Sequence, residues 1–196
     1  SPWVDGGASV VVESLVPVSV EPMTVILSQK GWIRCAKGHE VDGLKLSYKS
    51  EDGWLMQSAG SSDQSVVLVD DQGRSYSVAV SQLPSARGFG DPVSRFVDPP
   101  AGATFLSALC ASPPPSSRAE RSAAEGSLFS DLCLLVSDDG YAFWISLEDL
   151  HCKNRKGKKI MTLPEGGKLH SLSPLSAIAP DQSAIALISS SGHLLI

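Results

Sequence analysis

The sequence lacks the features that are typical of membrane proteins, of disulfide-bonded secreted proteins and of metal-binding proteins. No apolar run approaches the roughly 20 residues that a membrane-spanning helix needs. The amino terminus has no basic segment followed by an apolar one, so a secretory signal is not indicated. The four cysteines show no C-x-x-C spacing, which favours reduced thiols over disulfides or a metal site. We therefore expect a soluble, cytoplasmic chain without a metal site.

Motifs of common enzyme classes are absent as well. The sequence contains no G-x-S-x-G, no P-loop, no H-E-x-x-H and no glycine-rich dinucleotide fingerprint. Its carboxylates fall mostly in turn signals such as residues 70–71 and 138–139, where they cap local backbone. We predict no catalytic residue in this chain.

What the sequence does contain is a repeated β-hairpin. Residues 66–80 are an apolar run, a polar turn with glycine near its end, and an alternation of apolar and polar residues. This pattern predicts one strand buried on both faces and one half-buried strand, joined by a turn whose glycine has a positive φ. Similar hairpins recur near residues 24–34, 132–145 and 184–196, and their turn glycines are Gly31, Gly73, Gly140 and Gly192.

The spacing of these hairpins favours a propeller-like fold. The turn glycines are 42, 67 and 52 residues apart, and removing the 16 low-complexity residues 111–126 reduces the long interval to 51. An all-β repeat of about 40–50 residues is typical of propeller blades. The predicted blades are 21–63, 64–112, 128–180 and an incomplete 181–196, with a lead-in over 1–20 (an edge strand or a linker) and a mobile insertion over 111–127.

Charge is unevenly distributed along the chain. The formal net charge is -5, yet residues 151–170 carry six basic groups against one acidic group. That segment is therefore +5 and the remainder about -10, by subtraction from the total. A loop rich in basic residues or glycine follows each of the first three hairpins, at about residues 34–40, 85–92 and 153–159.

Several of these motifs resemble one bacterial family. Residues 25–39 are similar to the first blade of the C-terminal domain of the topoisomerase IV A subunit. Residues 83–90, and 154–158 followed by Leu163-Pro164, fit its later blades. The resemblance covers the chain from about residue 21 onward and implies an all-β β-pinwheel, a propeller-like disc whose rim binds and bends duplex DNA.

The resemblance also implies the setting in which such a domain works. The parent enzyme is an ATP-dependent type IIA topoisomerase that decatenates and relaxes DNA, with ATP and Mg²⁺ used in other domains. Its partners are the remainder of the same polypeptide and a separate ATPase subunit, in a heterotetramer associated with the nucleoid. The isolated domain itself would be non-catalytic, monomeric and without a cofactor.

The sequence departs from the gyrase branch of this family. The A subunit of gyrase carries a Q-R-R-G-G-R-G box that closes the disc and drives wrapping, and no such box is present here. Residues 87–90 and 155–158 resemble decayed versions of it. This departure favours topoisomerase IV over the alternative of a gyrase DNA-wrapping domain, and it leaves open whether the disc is closed.

The candidate DNA-binding residues are basic side chains in or beside these loops. Lysine and arginine facing phosphate release condensed counterions, and adjacent glycine allows close approach of the backbone. The predicted contacts are Arg34, Lys37, Arg87, Lys153, Arg155, Lys156, Lys158 and Lys159, with Lys45, Lys49, Arg74 and Lys168 as weaker candidates.

Less specific roles for these residues stay open on the sequence alone. The loop at 153–159 could be a solvated surface that only aids solubility, and Arg87 could bond within its own turn. The acidic overall balance is also consistent with a propeller that binds proteins.

Overall fold

The computed structural model describes residues 19–114 and 131–175, together with the backbone of 187–188 and 194–195. Most of the predicted lead-in and positions 115–127 of the predicted insertion lie outside the described residues. In the described part the chain is built of antiparallel β-sheets, as predicted, and it also contains a few single helical turns that were not predicted. No helix there is both long enough and apolar enough to cross a membrane.

Thirteen strands make up the described sheets. They are β1 (Pro22–Ser28), β2 (Trp32–Lys37), β3 (Trp54–Ser61), β4 (Ser65–Asp70), β5 (Arg74–Ala79), β6 (Asp91–Pro92), β7 (Phe105–Ala111), β8 (Leu132–Ser137), β9 (Ala142–Ser146), β10 (Lys158–Lys159), β11 (Leu169–Pro174), β12 (Leu187–Ile188) and β13 (Leu194–Leu195). The helical turns are 3₁₀ segments at Gly43–Lys45, Val80–Gln82 and Val93–Arg95 and the α-helical turn α1 (Leu147–Leu150).

The predicted hairpins are confirmed. Antiparallel pairing joins β1 to β2, β4 to β5, β8 to β9 and β12 to β13. The turn glycines Gly31, Gly73 and Gly140 have φ of 81°, 81° and 87°, a region that side chains with a Cβ resist. In each of the first three repeats a third strand (β3, β7 or β11) returns to pair with the first strand of the hairpin.

The same polar anchor shapes all three described turns. Ser28 Oγ, Asp70 Oδ1 and Ser137 Oγ each accept the backbone N–H of the residue after the turn glycine, at 2.9, 3.0 and 3.2 Å. Asp70 is fully buried and also accepts the Tyr76 hydroxyl at 2.7 Å. An oxygen three residues before the glycine therefore satisfies the donor that the turn would otherwise leave unpaired.

The repeats are linked by exchange of short strands. Blade 1 has the strand order β3-β1-β2-β6, blade 2 the order β10-β5-β4-β7 and blade 3 the order β11-β8-β9. Strand β6 follows the second hairpin but pairs with β2 of the first, and β10 follows the third hairpin but pairs with β5 of the second. The fold is thus a β-pinwheel, and the contiguous blades predicted from the sequence did not include this exchange.

Blade 2 lies between two hydrophobic clusters. Val66 and Leu68 of β4 pack into one cluster with residues of blade 1 such as Val25, while Val67 and Val69 pack into another with residues of blade 3. All four are at most 1% exposed. The prediction that this strand is buried on both faces is therefore confirmed, and apolar burial joins the three blades.

The cysteines are all free thiols in this structure. Burial, with a smaller contribution from Cys110, raises the pKa of Cys35 to about 11. Burial, with a smaller contribution from Asp131, raises the pKa of Cys133 to about 12. These two side chains therefore behave as small apolar core residues.

Candidate nucleic-acid interface

The basic loops lie at the two places where one repeat contacts the preceding blade. We call these two contact regions the first and the second seam. At the first seam, residues 84–93 contact β2 of blade 1. At the second seam, residues 151–160 contact β5 of blade 2. Both loops therefore belong by position to the edge of the preceding blade rather than to their own.

Equivalent backbone contacts close both seams. The N–H of Val93 donates to Gly31 O at 2.9 Å, and the N–H of Ile160 donates to Gly73 O at 2.9 Å. Val93 and Ile160 each lie 20 residues after the turn glycine of their own repeat. The two seams are therefore formed by the same backbone hydrogen bond at the same position of each repeat.

A glycine lies against the preceding blade in each seam. Gly90 and Gly157 each lie 17 residues after their own turn glycine, with φ of 86° and 70°. A Cβ on Gly157 would lie 2.6 Å from Ser75 O, and one on Gly90 would collide with Ile33 O. Both positions thus need glycine for the close approach as well as for the backbone conformation.

The second seam gathers the largest number of predicted site residues. Lys153, Lys156 and Lys159 are exposed and Lys158 is half-buried. Among the residues that the structure describes, none of the four has a carboxylate within ion-pair distance. Lys159 lies opposite Arg74 in the pairing of β10 with β5, and side chains directly opposite across a pair share one face. These four lysines therefore concentrate positive charge that no described acidic group neutralises.

Local hydrogen bonds fix the shape of this loop. Asn154 accepts the Lys156 N–H through Oδ1 at 3.0 Å and the Gly157 N–H through its carbonyl at 2.9 Å. Arg74 donates from Nε to Lys156 O and from Nη2 to Gly157 O, both at 3.0 Å. The lysines therefore extend from a backbone whose path is set by polar contacts.

Two further candidates, Arg155 within this seam and Lys168 near it, are in ion pairs. Arg155 Nη2 lies 3.3 Å from Asp98 Oδ1, and Lys168 Nζ lies 3.5 Å from Asp71 Oδ2. Arg155 also donates to Arg95 O at 3.3 Å, and its own carbonyl accepts the Asp98 N–H. Their charges are partly neutralised, and Arg155 additionally connects the loop to the chain that follows β6.

At the first seam the exposed cation is Arg87. Its backbone N–H donates to Ser85 Oγ at 3.3 Å, so the bond within its own turn is made by the backbone. No described carboxylate lies within ion-pair distance of its guanidinium. On the same blade, exposed Lys49 places Nζ 3.9 Å from the centre of the Trp32 ring, a cation–π contact.

Two further candidates on blade 1, Lys37 and Lys45, have acidic partners. Lys37 Nζ lies 3.4 Å from Glu21 Oε2, and Lys45 Nζ lies 3.7 Å from Asp42 Oδ2. Both lysines are largely exposed, so these pairs are solvated and weak. Blade 1 nonetheless carries less uncompensated positive charge than the second seam.

Arg34 is positioned unlike the other candidates. Arg34 is only 3% exposed. Nη1 donates to Gly88 O at 2.6 Å and Nη2 donates to Ser47 O at 2.8 Å. The guanidinium is therefore committed to backbone carbonyls, and a phosphate could not approach it without displacing the loop of the first seam.

His151 is a residue of the second seam that the sequence did not single out. Its Nδ1 lies 3.5 Å from Ser77 Oγ on β5, while its Nε2 is buried. Burial lowers the pKa of His151 and outweighs the opposing effect of the Ser112 backbone, while nearby Lys158 and Glu148 act in opposite directions. The neutral imidazole is therefore the form that the folded seam favours.

This histidine predicts a pH dependence of stability. Because the folded-state pKa is below the ordinary value of about 6.5, the unfolded chain takes up the proton more readily. We expect the free energy of unfolding to decrease as the pH falls through and below that value. Urea unfolding of the wild type and His151→Gln at about pH 7.5 and 5.5 measures this. The substitution leaves His39 and His170 unchanged. An equal effect of pH on the unfolding free energy of the wild type and of His151→Gln would therefore contradict the role given to His151.

No metal centre is evident in residues 19–114 and 131–175. No group of three or more His, Cys, Asp or Glu side chains there is arranged to hold a metal ion. The cations of the two seams without described acidic partners are a distinctive feature of the described surface. Cations spread over a surface in this way favour binding of an extended anion over binding of a small substrate in a pocket.

The chain is similar to known proteins of one family. The model of the DNA gyrase C-terminal domain, a beta-propeller, matches residues 131–176. The A subunit of DNA topoisomerase 4 from Pseudomonas aeruginosa is 40% identical over 176 residues, which is 90% of this chain and 21% of that protein. The Escherichia coli K12 protein of the same name is 38% identical over 177 residues, with the same shares. The chain thus spans about a fifth of the length of these relatives.

Solved structures agree on the fold. The structure of the E. coli ParC C-terminal domain matches with a TM-score of 0.71 and 36% identity, over 89% of this chain and 63% of that one. The C-terminal domain of a DNA topoisomerase IV matches with a TM-score of 0.60 over 80% of this chain and 46% of that one. The second match has 13% identity and therefore supports similarity of the fold alone.

Proposed function

The chain belongs to the family of C-terminal domains of topoisomerase IV A subunits, and from that premise we propose that it is a non-catalytic module that binds duplex DNA on its basic seams. The observation that carries the proposal is the second seam. There, Lys153, Lys156, Lys158 and Lys159 project from a fixed loop without described acidic partners. Cations placed together in this way repel one another, and a polyanion relieves that repulsion.

Repetition of the seam supports bending as well as binding. Each seam attaches a loop to the outer strand of the preceding blade through the same backbone contacts. The two loops therefore lie at the edges of successive blades. A duplex that contacts both loops would run along the edges of these sheets. Contacts along such a path can offset part of the cost of deforming DNA. We propose that Arg87 and Lys49 extend the contact surface from the second seam to blade 1.

The candidate residues divide according to their surroundings. The unpaired cations Arg87, Lys153, Lys156, Lys158 and Lys159 are proposed as the main phosphate contacts. Lys37, Lys45, Arg155 and Lys168, which face carboxylates, are proposed as peripheral contacts that must exchange partners to reach DNA. Arg34 is proposed to act on the loop rather than on DNA, because it is buried.

The parent protein is proposed to be an ATP-dependent type IIA topoisomerase that works on the bacterial nucleoid. In that assembly this module would guide DNA substrates toward decatenation and relaxation. Strand cleavage, ATP and Mg²⁺ would belong to other domains, and the ATPase subunit would complete a heterotetramer. The relatives from DNA topoisomerase 4 support this setting.

A second candidate is a propeller that binds protein. The net charge of -5 favours it, as do the ion pairs that neutralise Lys37, Lys45, Arg155 and Lys168. Gyrase-type wrapping has less support, because the sequence carries no Q-R-R-G-G-R-G box. Dependence of DNA affinity on salt separates the DNA-binding proposal from the protein-binding one.

We expect this domain to bind a short duplex of unrelated sequence, with an affinity that falls steeply with salt. Four to five phosphate contacts would reduce the association constant roughly 10²- to 10³-fold between 50 and 200 mM salt. Fluorescence anisotropy with a labelled duplex measures the affinity, and energy transfer between its two ends measures bending. Binding that is absent, or insensitive to salt, would overturn the proposal and favour the protein-binding candidate.

A further inference from the structure

An arginine of one blade holds the loop of the next repeat in both seams. Arg34 of β2 donates to Gly88 O at 2.6 Å in the first seam. Arg74 of β5 donates to Lys156 O and Gly157 O at 3.0 Å in the second seam. In each case the acceptors are backbone carbonyls of the segment that carries exposed cations. The contact therefore acts on the conformation of the loop.

The surroundings of Arg34 show how strongly this contact is built. The residue is 3% exposed, and no carboxylate lies within ion-pair distance of it in the described part of the chain. Its second donor, Nη2, reaches Ser47 O at 2.8 Å, and its guanidinium lies 4.7 Å from the centre of the Tyr48 ring. A buried charge is costly unless its donors are satisfied. Here the guanidinium finds its hydrogen-bond acceptors in Ser47 and Gly88, so it joins β2 to both of these segments.

We infer that Arg34 and Arg74 are positioning residues, which hold the basic loops of the following repeats in the conformation that meets phosphate. The inference rests on the proposed DNA-binding function and deepens it. Arg87 lies next to Gly88, and Lys156 is itself one of the residues whose carbonyl is held. Fixing the backbone at these residues lowers the conformational entropy that the loop loses when it binds DNA.

The test combines amide hydrogen exchange with DNA binding in Arg34→Met. The Ala86 N–H bonds to Cys35 O at 2.9 Å in the wild type and reports on the docked loop. We expect this amide to exchange about tenfold faster in the variant, because the variant cannot form the hydrogen bonds that the guanidinium donates. DNA affinity should fall roughly three- to tenfold, while the slope of log K against log salt stays unchanged, since no phosphate contact is removed.

Two comparison variants make the result specific. Arg34→Lys keeps the charge and can reach one carbonyl, so it should restore part of the exchange protection and of the affinity. Lys30→Met removes one exposed charge from the same blade, where Lys30 faces Glu51, and should leave Ala86 exchange unchanged. A decrease in the slope of about 0.9 with unchanged exchange in Arg34→Met would instead make Arg34 a direct phosphate contact and overturn the inference.

The second seam keeps the inference testable if Arg34→Met does not fold. In Arg74→Met we expect faster exchange of the Lys156 and Gly157 amides, which bond to Asn154 in the wild type. Unchanged exchange there would refute the positioning role of Arg74. Exchange is measured without DNA, so it also separates the two proposals. Faster exchange in a domain that never binds DNA would refute the proposed function and the positioning for phosphate, leaving only a structural clamp.

Discussion

Replacing Gly157 with alanine should destabilise the domain by about 2–4 kcal/mol and release the loop of the second seam from blade 2. Gly157 has a φ of 70°, which costs an L-residue energy before any contact is considered. The added Cβ would also lie 2.6 Å from Ser75 O and from Tyr76 Cε1. Both belong to β5, whose backbone pairs with β4 and cannot withdraw easily. Thermal unfolding should show a decrease in Tm of roughly 5–15 °C.

Two other glycines provide matched comparisons for this prediction. Gly166 has a similar φ of 76° but nothing within 4 Å of its added Cβ, so Gly166→Ala isolates the backbone strain and should cost about 1 kcal/mol. Gly88 has neither a positive φ nor a neighbour within 4 Å, so Gly88→Ala should be close to neutral. If Gly157→Ala is no more harmful than Gly166→Ala, the close approach to β5 is not a constraint.

The same reasoning extends to the first seam through Gly90. An added Cβ there would collide with Ile33 O, and φ is 86°. Because Gly90 and Gly157 occupy the same place in their repeats, alanine at either position should produce similar destabilisation. In the first repeat the equivalent position, 17 residues after Gly31, is Tyr48. Its ring packs against Arg34 of its own blade, which agrees with a position that has no described preceding blade to approach.

The hairpins could be predicted from the sequence because their causes are local. Alternation of apolar residues, a polar residue before the turn and a glycine at its end are all visible within 15 residues, as in 66–80. Strand exchange could not be predicted in this way, because β6 and β10 contain only two residues each. A two-residue strand has no periodicity of its own. The signal that existed was the shared spacing of Gly90 and Gly157 from their turn glycines, which becomes meaningful once both contacts are known.

The candidate site was predicted in part, for a related reason. The sequence located the basic loop at 153–159, since its composition differs from the rest of the chain. It could not reveal that Arg34 is covered by the loop of the next repeat, whose Gly88 lies 54 residues away. Nor could it pair Arg155 with Asp98 or Lys168 with Asp71. Which cations are available to a ligand depends on tertiary contacts, and composition alone does not contain them.

The distribution of ion pairs leads to the second large prediction, on DNA affinity. Alanine at Lys153, Lys156, Lys158 and Lys159 together should weaken duplex binding roughly 10²- to 10³-fold at 0.1 M salt. These lysines have no described carboxylate partners, so their full charge is available to phosphate. The slope of log K against log salt should become shallower by about 0.9 for each lysine that touches phosphate in the wild type. Anisotropy titrations across a salt series measure both quantities, with thermal unfolding to verify the fold.

The comparison for this prediction removes the same charge from lysines that face carboxylates. Lys30, Lys37, Lys45 and Lys168 are paired with Glu51, Glu21, Asp42 and Asp71. Replacing all four by alanine changes the net charge by the same amount, so it reproduces any general effect of a more acidic domain. We expect a smaller loss of affinity and a smaller change in slope than for the second-seam variant, because a paired lysine must first leave its carboxylate. Equal losses in the two variants would mean that DNA responds to net charge alone and that the second seam is no special contact surface.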